Sequence, residues 1–217
     1  TYGEGWKKIR KLRASKDSNR DFKFDVLMAN PPFAGDIKES RILAKYELGK
    51  KPNGKAQTKV GRDILFIERN LDFLKDGGRM AIVLPQGRFN NSSDKAIREF
   101  IAERCRILAV VGLHGNVFKP HTGTKTSVLF VQKWHDELCP KVEDYPIFFA
   151  TMQEPSKDNS GDKIFVRNED GSPLLDSHGH LIVKHDLFNH DGKTQDGIAE
   201  AFLEFAKKEK LSFAGKP

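Results

Sequence analysis

Phe24-Asp25-Val26-Leu27-Met28-Ala29-Asn30-Pro31-Pro32-Phe33 is the stretch on which the fold of this chain turns. Its first six residues form a short apolar run broken only by Asp25, as expected of a strand covered on both faces. The four residues after that run are chemically unusual. Each proline fixes its own φ and removes a backbone donor, and Asn30, standing before a proline, is held extended. The Asn30 amide oxygen and the Pro31 carbonyl therefore become two fixed acceptors, with the flat apolar ring of Phe33 beside them. Two such acceptors next to an aromatic plate suit a planar amino group carried on a flat ring. The plainer alternative is a proline turn that ends a buried strand.

Working outward, residues 34–60 show little periodicity and centre on Gly49-Lys50-Lys51-Pro52-Asn53-Gly54-Lys55. A loop of this length in a compact domain is commonly functional or disordered. Its lysines are candidates for phosphate contact, and a plain surface loop fits equally well. From Asp63 the pattern turns helical, with Ile64, Ile67, Leu71 and Leu74 on one face and Gly77-Gly78 as the stop. Arg79 to Pro85 reads as a second buried strand. A second helix is expected from about Ser93, with Ile97, Phe100 and Ile101 inward and Ser92 or Ser93 as its cap.

Ile107 to Leu113 and Thr126 to Trp134 read as two further strands, joined by a loop that carries Phe118 and Lys125 and able to form a hairpin. Strand, helix, strand, helix, strand is the grammar of an open α/β sheet, whose ligands bind beyond the carboxyl ends of the strands. Asn30 to Phe33 and Pro85-Gln86-Gly87 both fall at such ends. Beyond residue 135 the texture changes. An edge strand is expected over Ile147 to Thr151, and a β-hairpin-like excursion over Lys163 to Arg167 and Leu181 to Lys184. A closing helix from about Asp196 puts Ile198, Phe202 and Phe205 on one side. Residues 1–21 read as a basic lead-in, 22–135 as the main unit and 136–217 as an extension.

A formal net charge of +7 and an isoelectric point near 9.3 suit a polyanionic partner such as nucleic acid. Cys105, in a helix-like segment, and Cys139, before a proline, read as reduced thiols of a cytosolic protein with no disulfide framework. No apolar run reaches the length of a membrane span.

The order of three segments carries a family likeness: Phe24 to Phe33, Leu74 to Pro85, and Gly123 to Val131. Together they resemble amino-group DNA methyltransferases, above all the modification (M) subunits of type I restriction–modification systems. The resemblance covers residues 22–135 well and the downstream region less specifically. It implies a partial Rossmann-like S-adenosylmethionine-dependent methyltransferase sheet with helices on its faces, plus a C-terminal β-hairpin and helix extension. It implies methyl transfer from S-adenosylmethionine to adenine N6, with the adenine flipped out of double-stranded DNA. Asn30, Pro31, Pro32 and Phe33 would be catalytic, Asn30 and Pro32 would lie against the cofactor, and Phe33, Phe118 and Lys125 would contact the substrate.

The likeness implies no metal and no covalent intermediate. Partners would be a specificity subunit, which reads the DNA target, and a restriction subunit, in the cytoplasm of a bacterium or archaeon. The family also carries a glycine-rich turn and an acidic strand end ahead of the Asn-Pro-Pro-Phe segment. Gly3-Glu4-Gly5 does not follow a strand-like run, so the chain is expected to hold the second half of a catalytic domain. Alone it is expected to be inactive and to bind cofactor weakly.

Other constellations carry less. His178, His180, His185 and His190 lie in a turn-rich stretch without paired ligand spacing and read as solvated turn histidines. Asp36 is a candidate proton acceptor or a surface carboxylate. Competing functions are a guanine-N2 RNA enzyme or a protein-glutamine enzyme using the same amine clamp. A further alternative is a non-catalytic module that docks on DNA or a subunit.

Overall fold

The computed structural model describes residues 23–213 together with Glu4, Lys7, Lys8, Arg10, Lys11 and Ala14. The basic lead-in read over residues 1–21, including Gly3 and Gly5, lies largely outside the described residues. The described strands are β1 (Phe24–Ala29), β2 (Asp36–Ile37), β3 (Val60–Gly61), β4 (Leu74–Pro85), β5 (Cys105–Gly112), β6 (Thr126–Lys133) and β7 (Phe148–Thr151). Three longer helices are α1 (Arg62–Phe73), α2 (Lys95–Arg104) and α3 (Ile198–Lys208).

Five strands form one mixed sheet in the order β1-β4-β6-β5-β7. β1 and β4 are parallel, as are β5 and β7, while β6 runs antiparallel to both neighbours. β5 and β6 do form the expected antiparallel pair, but β6 inserts between β4 and β5 instead of extending the sheet outward. The carboxyl ends of β1, β4 and β5 therefore share one rim with the start of β6.

Alternation along β4 explains the core. Met80, Ile82 and Leu84 point to one face, where they meet Val131 and Leu129 of β6. Ile67 and Leu71 of α1 and Ile97, Phe100 and Ile101 of α2 cover them, at the helical spacing the sequence shows. Each such side chain, once buried, stabilises the fold by about 1.5–3 kcal/mol relative to exposure. On the opposite face α3 stacks Phe202 on Phe130, and both Phe202 and Phe205 contact Phe148. Helices thus lie on both faces of the sheet.

Several local expectations need correction. β1 is not covered on both faces: Val26 and Met28 are 53% and 82% exposed, and among the described residues β1 is an edge strand paired with β4 alone. Only Leu27 and Ala29 pack on the core. The helix α1 stops at Phe73, and Leu74 starts a strand at once, so Gly77-Gly78 lies inside β4 instead of ending a helix. Gly77 adopts a left-handed φ of +77°, and a Cβ on Gly78 would come within 3.1 Å of the Asp25 carbonyl of β1. The glycines let two strands approach.

Neither Ser92 nor Ser93 caps α2 through its side chain; the two serines form a single 3-10 turn leading to Asp94. Cys105 opens β5 and is not helical. Both cysteines are free and buried, and burial pushes the Cys105 thiol up to about 12. Residues 34–60 are an organised segment, where β2 pairs with β3 around a small core of Leu43, Val60 and Leu65. The edge strand and the closing helix lie where expected, and an antiparallel bridge joins Phe165 to Val183.

Candidate functional site

Three loops converge on the shared rim: residues 30–35 after β1, 86–94 after β4, and 113–125 between β5 and β6. Asn30 is exposed, Pro31 is buried, Pro32 is exposed and Phe33 is half-buried. Among the described residues no hydrogen bond engages the Asn30 side-chain amide. Phe33 meets Phe118 of the third loop edge to face, with ring centroids 5.7 Å apart and planes at 84°. The backbone N–H of Gln86 donates to the Lys125 carbonyl at 3.0 Å, tying the second loop to the third.

Between these loops lies a cleft of about 580 Å³, lined by Pro32, Phe33, Pro85, Arg88, Thr122 and Thr124 among others. Asn30 and Pro31 do not line this cleft themselves; they immediately precede the residues that do. The Lys125 side chain is exposed and does not line the cleft either. A larger groove of about 900 Å³ runs between the 47–61 segment and α2. It shares Arg88 and Asp94 with the cleft but touches none of residues 30–33, so the chemistry-bearing rim belongs to the smaller cavity.

The sequence reading missed Arg88. Its guanidinium donates twice to Asp63, at 2.7 and 3.1 Å, and once to Asp94 at 3.0 Å. Asp63 is only 1% exposed, so this is a nearly buried bidentate pair. Burial would lower the Arg88 pKa, but the hydrogen bonds and charges of the two carboxylates outweigh it, and the net shift is upward. Arg98 adds hydrogen bonds to the Arg88 and Asn91 carbonyls. Together these contacts bind the loop after β4 to the start of α1 and the start of α2. The one sequence signal was a carboxylate, Asp63, at the start of an apolar helix face.

A model of the N-6 DNA methylase family matches residues 8–206. The chain belongs to that family. Over 117 residues this methylase chain is 35% identical to the type I restriction enzyme EcoEI methylase subunit of Escherichia coli, covering 54% of the chain and 22% of that relative. It is 28% identical over 115 residues to the type II restriction enzyme and methyltransferase RM.Eco57I, also of Escherichia coli, covering 52% of the chain and 11% of that relative. The chain thus spans about a fifth and about a tenth of the lengths of these curated relatives. A solved structure from Listeria monocytogenes, assigned to the class I S-adenosylmethionine-dependent methyltransferases, superposes with a TM-score of 0.51 at 21% identity. It covers 61% of this methylase chain and 38% of the Listeria chain, and that likeness establishes the fold.

The remaining candidates of the methylase chain sit away from the cleft. Asp36 is exposed and pairs with Lys59 at 3.4 Å. His180, His185 and His190 each lie within 3.3 Å of a separate aspartate: Asp176, Asp196 and Asp186. Among the described residues no three His, Cys, Asp or Glu side chains gather as a metal site, and no helix is long and apolar enough to cross a membrane.

Proposed function

We propose that this chain supplies the methyl-accepting side of an S-adenosylmethionine-dependent DNA methyltransferase. Its substrate would be adenine N6, and its setting the modification subunit of a type I restriction–modification system. The observation that carries the reading is the placement of Asn30. Its amide is exposed and, among the described residues, unengaged at the carboxyl end of β1, beside a cleft lined by Phe33, whose ring packs edge to face on Phe118. A flipped adenine costs on the order of a few kcal/mol of unstacking, which ring contacts and hydrogen bonds in such a cleft offset.

In this reading the Asn30 amide oxygen and the Pro31 carbonyl accept the two N6 hydrogens. Two acceptors on one amine draw its lone pair out of conjugation with the ring and leave it free to attack. Phe33 holds the plane of the base, and Phe118 closes its edge. The surplus N6 proton leaves past the same acceptors to water, so no side chain needs a shifted pKa. Rate comes from positioning and fixed dipoles.

S-adenosylmethionine, when bound, supplies an electrophilic methyl group. The residues present fit only its reacting end: Asn30 and Pro32 are exposed beside the outer edge of β1, which no described strand covers. Double-stranded DNA, a specificity subunit and a restriction subunit are the partners that accompany this reading. The net charge of +7 supports the first of them.

The test is Asn30→Ala in the polypeptide that carries this chain, assembled with its partners. Methyl transfer is expected to fall by at least about a hundredfold, as for loss of a fixed dipole at a reacting centre. Assembly and DNA binding should persist. Unchanged methylation in that variant removes the segment from the mechanism.

A further inference from the structure

The loop that carries Phe118 is held from outside by a turn more than thirty residues further along the chain, in the C-terminal extension. The Asn116 side-chain amide donates to the Lys157 carbonyl at 3.0 Å and to the Asn159 amide oxygen at 3.3 Å. The Lys157 ammonium returns a hydrogen bond to the Lys119 carbonyl at 3.0 Å. These contacts bracket Phe118, two residues before it and one residue after it.

A third contact is steric. A Cβ on Gly161, which stands at φ +99°, would come within 2.5 Å of Pro120 Cδ and 2.6 Å of Pro120 N. Only a glycine lets the turn press this closely on the loop.

The turn itself is rigid. The Asp158 carboxylate accepts from the backbone N–H groups of Ser160, Gly161 and Asp162 at 2.9, 2.8 and 3.0 Å. The Asp158 N–H donates back to the Asp162 carbonyl at 2.9 Å. By contrast, the hydrogen bonds around Phe118 within its own loop are local, such as Lys119 N–H to the Asn116 carbonyl and Thr122 N–H to the Phe118 carbonyl. A loop with only local bonds samples many conformations, whereas one gripped by a self-bonded turn keeps a single ring position. Lys157 is half-buried and spends its charge on a neutral carbonyl, with no ion pair among the described residues.

We propose that Lys157 and Gly161 are positioning residues: the turn at 157–161 sets Phe118 at the edge of Phe33 and thereby fixes the geometry of the base in the cleft. The inference rests on the base-site reading above. It gives the C-terminal extension a part in the acceptor site, reached through residues that touch neither base nor cofactor.

The experiment uses the full polypeptide with its partner subunits, an adenine-bearing DNA duplex for the rate, and a matching duplex with 2-aminopurine in place of the target adenine for emission. Lys157→Met and Gly161→Ala are each expected to lower kcat about tenfold, as a displacement well under 1 Å does at a reacting centre. The KM for S-adenosylmethionine and the Kd for DNA should stay within about twofold. Emission from the flipped 2-aminopurine should rise because it stacks less completely, and Lys157→Arg, which keeps a cationic donor, should recover most of the rate.

Unchanged kcat and emission in both variants, with Asn30→Ala inactive, overturn the brace alone. A slower rate with a lower melting temperature and unchanged emission assigns a purely structural role and also overturns it. Full activity in Asn30→Ala overturns the base-site reading and this inference together.

Discussion

Arg88 serves two carboxylates at once, and its removal leaves both without their cation. Asp63, 1% exposed, would be the costlier of the two, because an ionised group out of water needs its partner. Arg88→Met is expected to destabilise the fold by about 3–5 kcal/mol, the usual result of stranding one member of a buried pair. Urea unfolding checks it. The double variant Arg88→Met with Asp63→Leu should recover much of that loss, since the more deeply buried of the two charges is then gone and only Asp94, 8% exposed, lacks its cation. A loss under about 1 kcal/mol for Arg88→Met would mean that water reaches Asp63 freely.

The contrast with Asn30 shows what a sequence reveals at this scale. Asn30 to Phe33 could be singled out because prolines constrain their own backbone and because the segment is contiguous. Arg88 could not, because its carboxylates lie 25 residues before it and 6 after it. Nothing local marks such a triad.

Among the elements, α3 offers a direct comparison of neighbouring positions. Phe202 contacts Phe130, Phe148 and Phe205, while Leu203, next in sequence, is 55% exposed. Phe202→Ala should cost about 2–3 kcal/mol, below the full value for a deeply buried ring because Phe202 remains partly accessible. Leu203→Ala should stay within about 0.5 kcal/mol. Equal losses at both positions would show that α3 docks through a different face.

Helical faces were legible because a stripe at 3.6-residue spacing survives into the packed structure, as with Ile97, Phe100 and Ile101. The junction after α1 was not. Leu74-Lys75-Asp76-Gly77-Gly78 has the composition of a helix stop, yet pairing of Leu74 with Phe24 of β1 draws the chain into a strand before the glycine pair is reached. The covering of β1 was misjudged for a related reason. An apolar run records that a strand is suited to burial, not what covers it. Residues 34–60 lacked periodicity because the small core they join takes one residue each from a single helical turn, from β3 and from α1: Leu43, Val60 and Leu65.

For the molecule as a whole, two carboxylate–lysine pairs between neighbouring strands, β1 with β4 and β4 with β6, link the sheet to stability against acid. A hydrogen bond from Lys75 holds the Asp25 carboxyl below the usual range, and one from Lys133 does the same for Asp76. Groups whose folded pKa is depressed stabilise the native state above their ordinary pKa and lose that contribution as pH falls through the folded value. Unfolding free energy is therefore expected to be level near neutrality and to decline below about pH 4. Asp25→Asn combined with Asp76→Asn should flatten the decline. Both carboxylates are largely exposed, so the effect is small and grows at low salt. An unaltered acid limb in the double variant would assign the decline to other carboxylates.

The insertion of β6 also dictates an order of assembly. β4 and β5 share no ladder; each bonds instead to a strand that leaves the ribosome after both of them. Until about residue 133 has emerged, the nascent polypeptide therefore holds the β1–β4 pair and a lone β5, with raw edges and nothing to knit them together. The hairpin that reaches back with Thr126 to Lys133 completes the rim and the hydrophobic layer in one event. Chaperone capture, premature proteolysis and miscombination with a sister chain would all concentrate in that interval, before the seam closes.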